Sequence, residues 1–311
     1  MTGPTPAVPL VDAPCEVLVV RIAASPYTRD PDAPQGIMAL PDHTLTGDHT
    51  AEVVEAADDS PEALFDLLEA RHWGDGLPVV APTTDRVDWM LAGRGDPDAI
   101  LGVVPPRDGA ATLRTVAINA VMAGCPPEVL PVVAAAVRAL TQPEVNLRGV
   151  QATTHPVAPL VIVHGDIVDH AGFNPATGVF GPGNRANATV GRAMRFVLMH
   201  VGGARPGAGD AATQGQPSKY TYCIAERAPA SPWPAYHRSR GLDAASAVTV
   251  TCGENPHNVH DMESVEPVRL LTKAASVMAT LGSNNACISQ GEFFVVLCPE
   301  HAAIVAACSG H

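Results

Sequence analysis

Between Gly149 and Val201 a short apolar run is joined to an amphipathic helix by a loop of two glycines and a proline, and this junction restricts the folds open to the chain. Leu160 to Val163 is apolar, is bounded by Pro159 and Gly165-Asp166, and is too short for a helix, so it reads as a buried strand. Phe180 to Asn184 (FGPGN) is a tight turn, and Asn184 or Asn187 can cap the helix behind it. That helix places Val190, Ala193, Met194, Val197 and Leu198 on one face, with Arg185, Arg192 and Arg195 in its early turns. A helix start has free N–H groups and attracts anions, so Gly181, Gly183, Asn184, Arg185, Asn187 and Arg192 form an anion-cradle candidate. The other reading of the same residues is a turn that only reverses the chain, beneath a solvated arginine face. Neither G-x-x-x-x-G-K-[ST] nor G-x-G-x-x-G occurs, so no nucleotide cofactor is indicated.

The remaining elements alternate. Glu16 to Ala23 reads as a strand, and Ser25 to Thr50 as irregular chain. Ser60 to Arg71 reads as a helix capped by Ser60 with Pro61 in its first turn, and a second helix starts at Thr83 or Thr84 and continues to Leu91. Thr112 to Ala123 and Pro126 to Leu140 are helices parted by Gly124-Cys125, and the second is apolar on every face, which predicts deep burial. Tyr220 to Ala225 and Ala247 to Thr251 are strands, Pro267 to Leu281 a helix, Phe293 to Leu297 a strand, and Pro299 to Ala307 a closing helix. This order predicts an α/β fold with a mixed or mostly parallel sheet flanked by helices, built as one catalytic domain over residues 15–311 behind a flexible tail over 1–14. Cys125-Pro126-Pro127-Glu128 and Cys298-Pro299-Glu300 both open apolar helices. A polar stretch leading into an apolar strand recurs at Gln151 to Val163 and Asn284 to Leu297. The echo suggests an internal duplication with halves near 60–200 and 201–311.

Composition excludes several classes. Apolar residues make up 46% and charged residues 16%, which rules out a disordered chain, and 311 residues suffice for a sizeable core. Aromatics are 4%, so that core rests on Val, Ala, Leu and Ile. A net charge of −13 opposes binding to nucleic acid or an anionic membrane. No apolar run reaches the ~18 residues of a membrane span, and Met1 to Pro14 lacks the pattern of a signal peptide, so a cytoplasmic location is expected. Seven cysteines without framework spacing then read as thiols, metal ligands or core residues.

Several residue groups can carry chemistry. Cys125 precedes the proline that opens a helix, where the positive helix end lowers a thiol pKa; the competing reading is a small buried residue between helices. Cys252 to Asp261 (CGENPHNVHD) holds His257 and His260 three apart with Glu254 nearby, a donor set that suits a divalent metal such as zinc or iron; the competing reading is a capping loop. His155, in extended backbone before Pro156, is a candidate third ligand or general base. Lys219 and Tyr222 are candidate proton donors or carboxylate holders, in what is otherwise an ordinary strand start. Asp75 lies at a loop edge, where sites concentrate.

The motifs WGDGLPVVAPT (73–83), NAVMAGCPPE (119–128), QATTHP (151–156), FGPGNRANATVGRA (180–193) and SKYTYCIAE (218–226) together resemble a bacterial family of hypothetical proteins, over about Phe65 to His301. The resemblance implies association with small proteins that carry a selenocysteine- or cysteine-Gly-Ser-Cys motif, hence redox or sulfur chemistry and a small redox partner. This chain has no C-G-S-C of its own, and such relatives are expected to run on beyond His311. The residues themselves favour a homo-oligomeric enzyme acting on a small anionic metabolite by metal-assisted lyase, hydratase or hydrolase chemistry. Thiol redox or sulfur transfer at Cys125, and a non-catalytic assembly or carrier subunit, are the alternatives.

Overall fold

The computed structural model describes the backbone of residues 15–19 and residues 60–283 and 294–307. In chain order the elements are β1 (Cys15–Val19), α1 (Pro61–Ala70), α2 (Thr84–Leu91), β2 (Ile100–Val104), β3 (Gly109–Thr112), α3 (Leu113–Ala123), α4 (Leu130–Leu140) and α5 (Leu147–Ala152). There follow β4 (Ala158–Gly165), α6 (Ile167–His170), α7 (Arg185–His200), β5 (Arg205–Pro206), β6 (Gly209–Asp210), β7 (Cys223–Ala225), α8 (Tyr236–Ser239), β8 (Ser246–Gly253), α9 (Pro267–Met278) and α10 (Pro299–Ala306). The central sheet has the order β1-β8-β4-β7 and is mixed: β8 runs antiparallel to β4, while β1 on β8 and β7 on β4 are parallel. The fold is α/β.

Local chemistry explains the helix boundaries. The Ser60 side chain accepts from the Ala63 N–H, and Pro61 opens α1. Thr112 and Thr115 satisfy each other's backbone N–H at the start of α3, and Gly124, at φ 85°, ends it in the left-handed region that glycine adopts freely. Asn184 is the cap of α7, accepting from the Asn187 N–H at 2.9 Å.

The two faces of the sheet differ. Val161, Val163, Cys223, Ala225, Val248 and Val250 join the side chains of α3, α4 and α7 in one continuous core. α4 is buried on nearly every side, as its uninterrupted apolar sequence predicts. On the opposite face Leu160, Ile162, Tyr222 and Ile224 form a separate cluster, against which Val179 and Phe294 pack. Period-two alternation along β4 thus divides a helix-covered face from a loop-covered face.

Some expectations need correction. Residues 294–298 form no strand, and Val295 and Val296 are half exposed. An apolar run becomes a strand only if a sheet edge receives it, and here Phe294 packs on Tyr236 instead, with ring centroids 6.0 Å apart. The strand expected from Tyr220 begins at Cys223, because a turn over Pro217–Lys219 precedes it. The β2–β3 hairpin was not anticipated. The 1–14 tail, the irregular 25–50 stretch and residues 284–293 of the proposed repeat lie outside the described residues. Among the described residues no helix is long and apolar enough to cross a membrane.

Candidate metal centre

On the loop-covered face the penultimate residue of β4 is His164, and β7, parallel to it, runs directly into Glu226. Both side chains therefore project near the carboxyl ends of neighbouring parallel strands, a usual location for ligands in α/β sheets. The chain then crosses this face and returns through α8, which supplies His237. One donor atom from each of His164, Glu226 and His237 lies within 4.8 Å of the others, the one such group of three among the described residues. Both histidines are almost fully buried, while Glu226 keeps about a fifth of its side chain exposed.

Each imidazole is tethered through Nε2. His237 Nε2 donates to the Ala244 carbonyl at 3.1 Å, which leaves a lone pair on Nδ1; that buried atom has no hydrogen-bond partner among the described residues. Burial lowers the His237 pKa, the bond to Ala244 notwithstanding, so the ring is neutral and able to ligate. His164 Nδ1 lies 2.6 Å from Glu226 Oε2, and its Nε2 lies 2.9 Å from Thr249 Oγ1. With Nδ1–H donating to the carboxylate, the Thr249 hydroxyl donates to Nε2. A hydroxyl can also turn and accept, and His164 can then offer Nδ1 to a cation with Nε2–H held by Thr249. Glu226 Oε1 accepts from the Tyr236 N–H at 2.8 Å, which fixes the carboxylate and leaves Oε2 facing the histidines. Burial pushes the Glu226 pKa up, but the His164 bond and charge, with the Tyr236 N–H, hold it below the usual carboxylate value. The donor set of two imidazoles and one carboxylate, with oriented outer partners, fits a divalent transition metal.

The metal ligands expected from sequence are not brought together. His257 and His260 are exposed, and residues 256–260 form no helical turn that would place both on one face. Glu254 instead approaches His155, whose Nδ1 lies 3.3 Å from its Oε1, and its carbonyl accepts from the Tyr222 hydroxyl at 3.0 Å. Burial raises the Tyr222 pKa to about 12, which makes the phenol a hydrogen-bond donor rather than a base. His155, Tyr222 and Glu254 thus meet, but near the start of β4. Gly253, next to Glu254, pairs with Ala158, six residue steps or about 20 Å along β4 from His164, and Tyr222 is four steps, about 13 Å, from Glu226.

The anion cradle is also revised. Arg192 binds Asp75 through two bonds of 2.8 and 2.7 Å, donates to the Leu77 and Pro78 carbonyls, and sits 5.0 Å over the Phe196 ring. Its charge is neutralised by a residue far upstream, and its work is to fasten the WGDGLP segment to α7. Asn187 is buried and pairs with the Asn174 backbone through both amide atoms. Asn184 donates to the Gly172 carbonyl. Gly183, at φ 111°, reverses the chain, and Gly181 N–H donates to Gly178 within the turn. Arg185, exposed and donating to the Gly124 carbonyl, has no carboxylate partner among the described residues.

Cys125 is 3% exposed, and its thiol is raised to about 12 by burial, against smaller opposing effects from Thr189 and Arg185. The expected activation fails because desolvation of the thiolate outweighs the positive helix end. Native protein is expected to leave Cys125 unalkylated by iodoacetamide at pH 8, with labelling only on unfolding; rapid native labelling at this position, mapped by mass spectrometry, would restore the thiol mechanism. Lys219 pairs with Asp210 through both carboxylate oxygens, at 3.0 and 2.8 Å.

No protein-family model, characterised protein or solved structure matches the chain.

Proposed function

We propose that the protein is a metal-dependent enzyme in which His164, Glu226 and His237 hold one zinc or iron ion for lyase, hydratase or hydrolase chemistry on a small anionic substrate. The observation that carries this reading is the convergence of one donor atom each from His164, Glu226 and His237 within 4.8 Å, with His237 Nδ1 buried and without a hydrogen-bond partner among the described residues. Three protein donors are the usual complement of a catalytic site, in which a further position is left for substrate or water. A divalent cation there supplies Lewis acidity toward a carbonyl or makes water nucleophilic at neutral pH. The protein's own residues orient the ligands through Thr249, Ala244 and the Tyr236 N–H, and Tyr236 and Phe294 restrict solvent on the covered side. The anionic preference rests on Arg227, which is exposed and directly follows Glu226 in an otherwise acidic protein, whereas Arg238, next to His237, pairs with Asp243.

The test is metal analysis of protein purified without added metal or chelator. About one equivalent of zinc or iron is expected in the parent and in a His257→Ala, His260→Ala double variant, with more than tenfold loss in His237→Ala and Glu226→Gln. Absence of metal from the parent, or loss only with His257 and His260, would refute the assignment.

A further inference from the structure

The turn between β2 and β3 meets the glycine-rich chain that leaves α7 at a basic patch. The Arg107 N–H donates to the Gly202 carbonyl at 3.0 Å, which sets the turn against residues 202–205. Gly203, at φ 72°, has no side chain, and Arg107 lies across it: a β-carbon there would be 2.6 Å from Arg107 Nε. Two residues on, Arg205 opens β5. Arg107 is exposed and Arg205 half-buried, and neither guanidinium has a carboxylate or hydrogen-bond partner among the described residues. Arg205 Nε is sealed from solvent, whereas its Nη1 and Nη2 are accessible. Burial lowers the Arg205 pKa and the charge of Arg107 lowers it further, although a guanidinium keeps its proton even so. The carboxylates nearest in sequence are already engaged. Asp108 accepts two bonds of 2.6 Å from Arg148, and Asp210 is held by Arg195 and Lys219.

Arg107, Arg148 and Arg205 thus gather around the single carboxylate of Asp108, an excess of positive charge in a protein whose net charge is −13. Like charges held together, one of them partly desolvated, are costly unless a counter-ion joins them. The carboxyl end of α7 just before the patch favours cations, but its carbonyls accept from neither guanidinium among the described residues. The planar fork of a guanidinium matches the oxygens of a phosphate group, and accessible Nη atoms are the ones that make such bonds. We propose that Arg107 and Arg205 form a binding site for a phosphate group, supplied as the free ion or as a phosphate monoester. The bound anion would tie the β2–β3 hairpin to the chain leaving α7. Gly102 lies against Thr141 at the end of α4, and Gly109 against Val201 at the end of α7. The patch therefore belongs to the helix-covered side of the sheet, whereas His164 projects on the other side, and the site does not depend on the metal centre.

The test is thermal denaturation of the full chain in sodium phosphate, glycerol 2-phosphate or sodium chloride at matched ionic strength. A saturable rise in Tm at millimolar phosphate, absent with chloride, is expected. General salting effects of phosphate do not saturate and are shared by variants. Apparent affinity for inorganic phosphate should fall about tenfold or more in Arg107→Gln and in Arg205→Gln, since each loses a charge-assisted pair. If Arg205→Gln does not fold, Arg107→Gln, at an exposed position, decides the matter. Arg185→Gln, at the opposite end of α7, should respond as the parent does. Equal stabilisation by glycerol 2-phosphate supports a phosphorylated metabolite as the ligand, and stabilisation by inorganic phosphate alone supports the free ion. Identical melting in phosphate and chloride, an undiminished response in Arg107→Gln, or a response lost only in Arg185→Gln would overturn the site.

Discussion

Asp75→Ala is expected to destabilise the protein by about 3–5 kcal/mol, the usual cost of stripping one partner from a buried ion pair. The Asp75 and Arg192 side chains are 5% and 15% exposed, and the carboxylate engages two guanidinium nitrogens. Removing it leaves Arg192 charged, partly desolvated and bound only to the Leu77 and Pro78 carbonyls. The substitution also releases the Leu77 N–H, which donates to Asp75 at 3.1 Å and closes the turn. Urea denaturation measures the loss. An Asp75→Ala, Arg192→Met double variant should recover part of it, because an apolar side chain over Phe196 does not need a counter-charge. A loss below about 1 kcal/mol in the single variant would mean that the pair behaves as a surface ion pair. Arg192 would then again be available as an anion ligand.

Gly165→Ala should be of similar size, about 3–5 kcal/mol, and should disturb the metal centre as well. Gly165 follows His164 at φ 79°, and a β-carbon there would lie 2.0 Å from the Ala245 carbonyl oxygen. Left-handed strain contributes part of the cost, and displacement of backbone at the β4–β8 junction the rest. The displaced strand carries Ser246, whose hydroxyl receives the Ile167 N–H, and is continuous with the Ala244 carbonyl that tethers His237. Gly172→Ala is the control: its φ is also positive, at 68°, but nothing lies within 4 Å of the new carbon, so only about 1–2 kcal/mol of strain is expected. Denaturation curves that place the two variants together would show that the close approach at Gly165 relaxes without cost.

The sequence made local structure legible where one residue type has one physical use. Ser60-Pro61, Thr83-Thr84 and Gly124 marked helix ends because capping and left-handed geometry are decided within a few positions. Leu160 to Val163 lies inside β4, and the helix behind FGPGN is α7. Long-range pairing was not legible. Arg192 looked like an anion ligand because Asp75, 117 positions away, is not visible from the helix that carries Arg192. The histidines of CGENPHNVHD drew attention by their spacing, whereas His164 stood at the end of an apolar run and His237 among arginines and prolines, 73 positions apart. One signal did exist: His164 has the parity of Leu160 and Ile162, so it had to project from the same face as the residues flanking β7. The activation expected at Cys125 failed for a related reason, since α3 and α4 bury it and burial is set by tertiary packing.

The alternation along β4 has an evolutionary consequence. Val161 and Val163 answer to the volume of a helix-packed core, whereas Leu160, Ile162 and His164 answer to whatever loops cover the other side. A single strand therefore carries two nearly independent selection regimes, interleaved residue by residue. Chemistry on the covered side can drift, be lost or be replaced by substitutions at even-numbered positions and in residues 226–245, while the odd-numbered positions keep the scaffold foldable throughout.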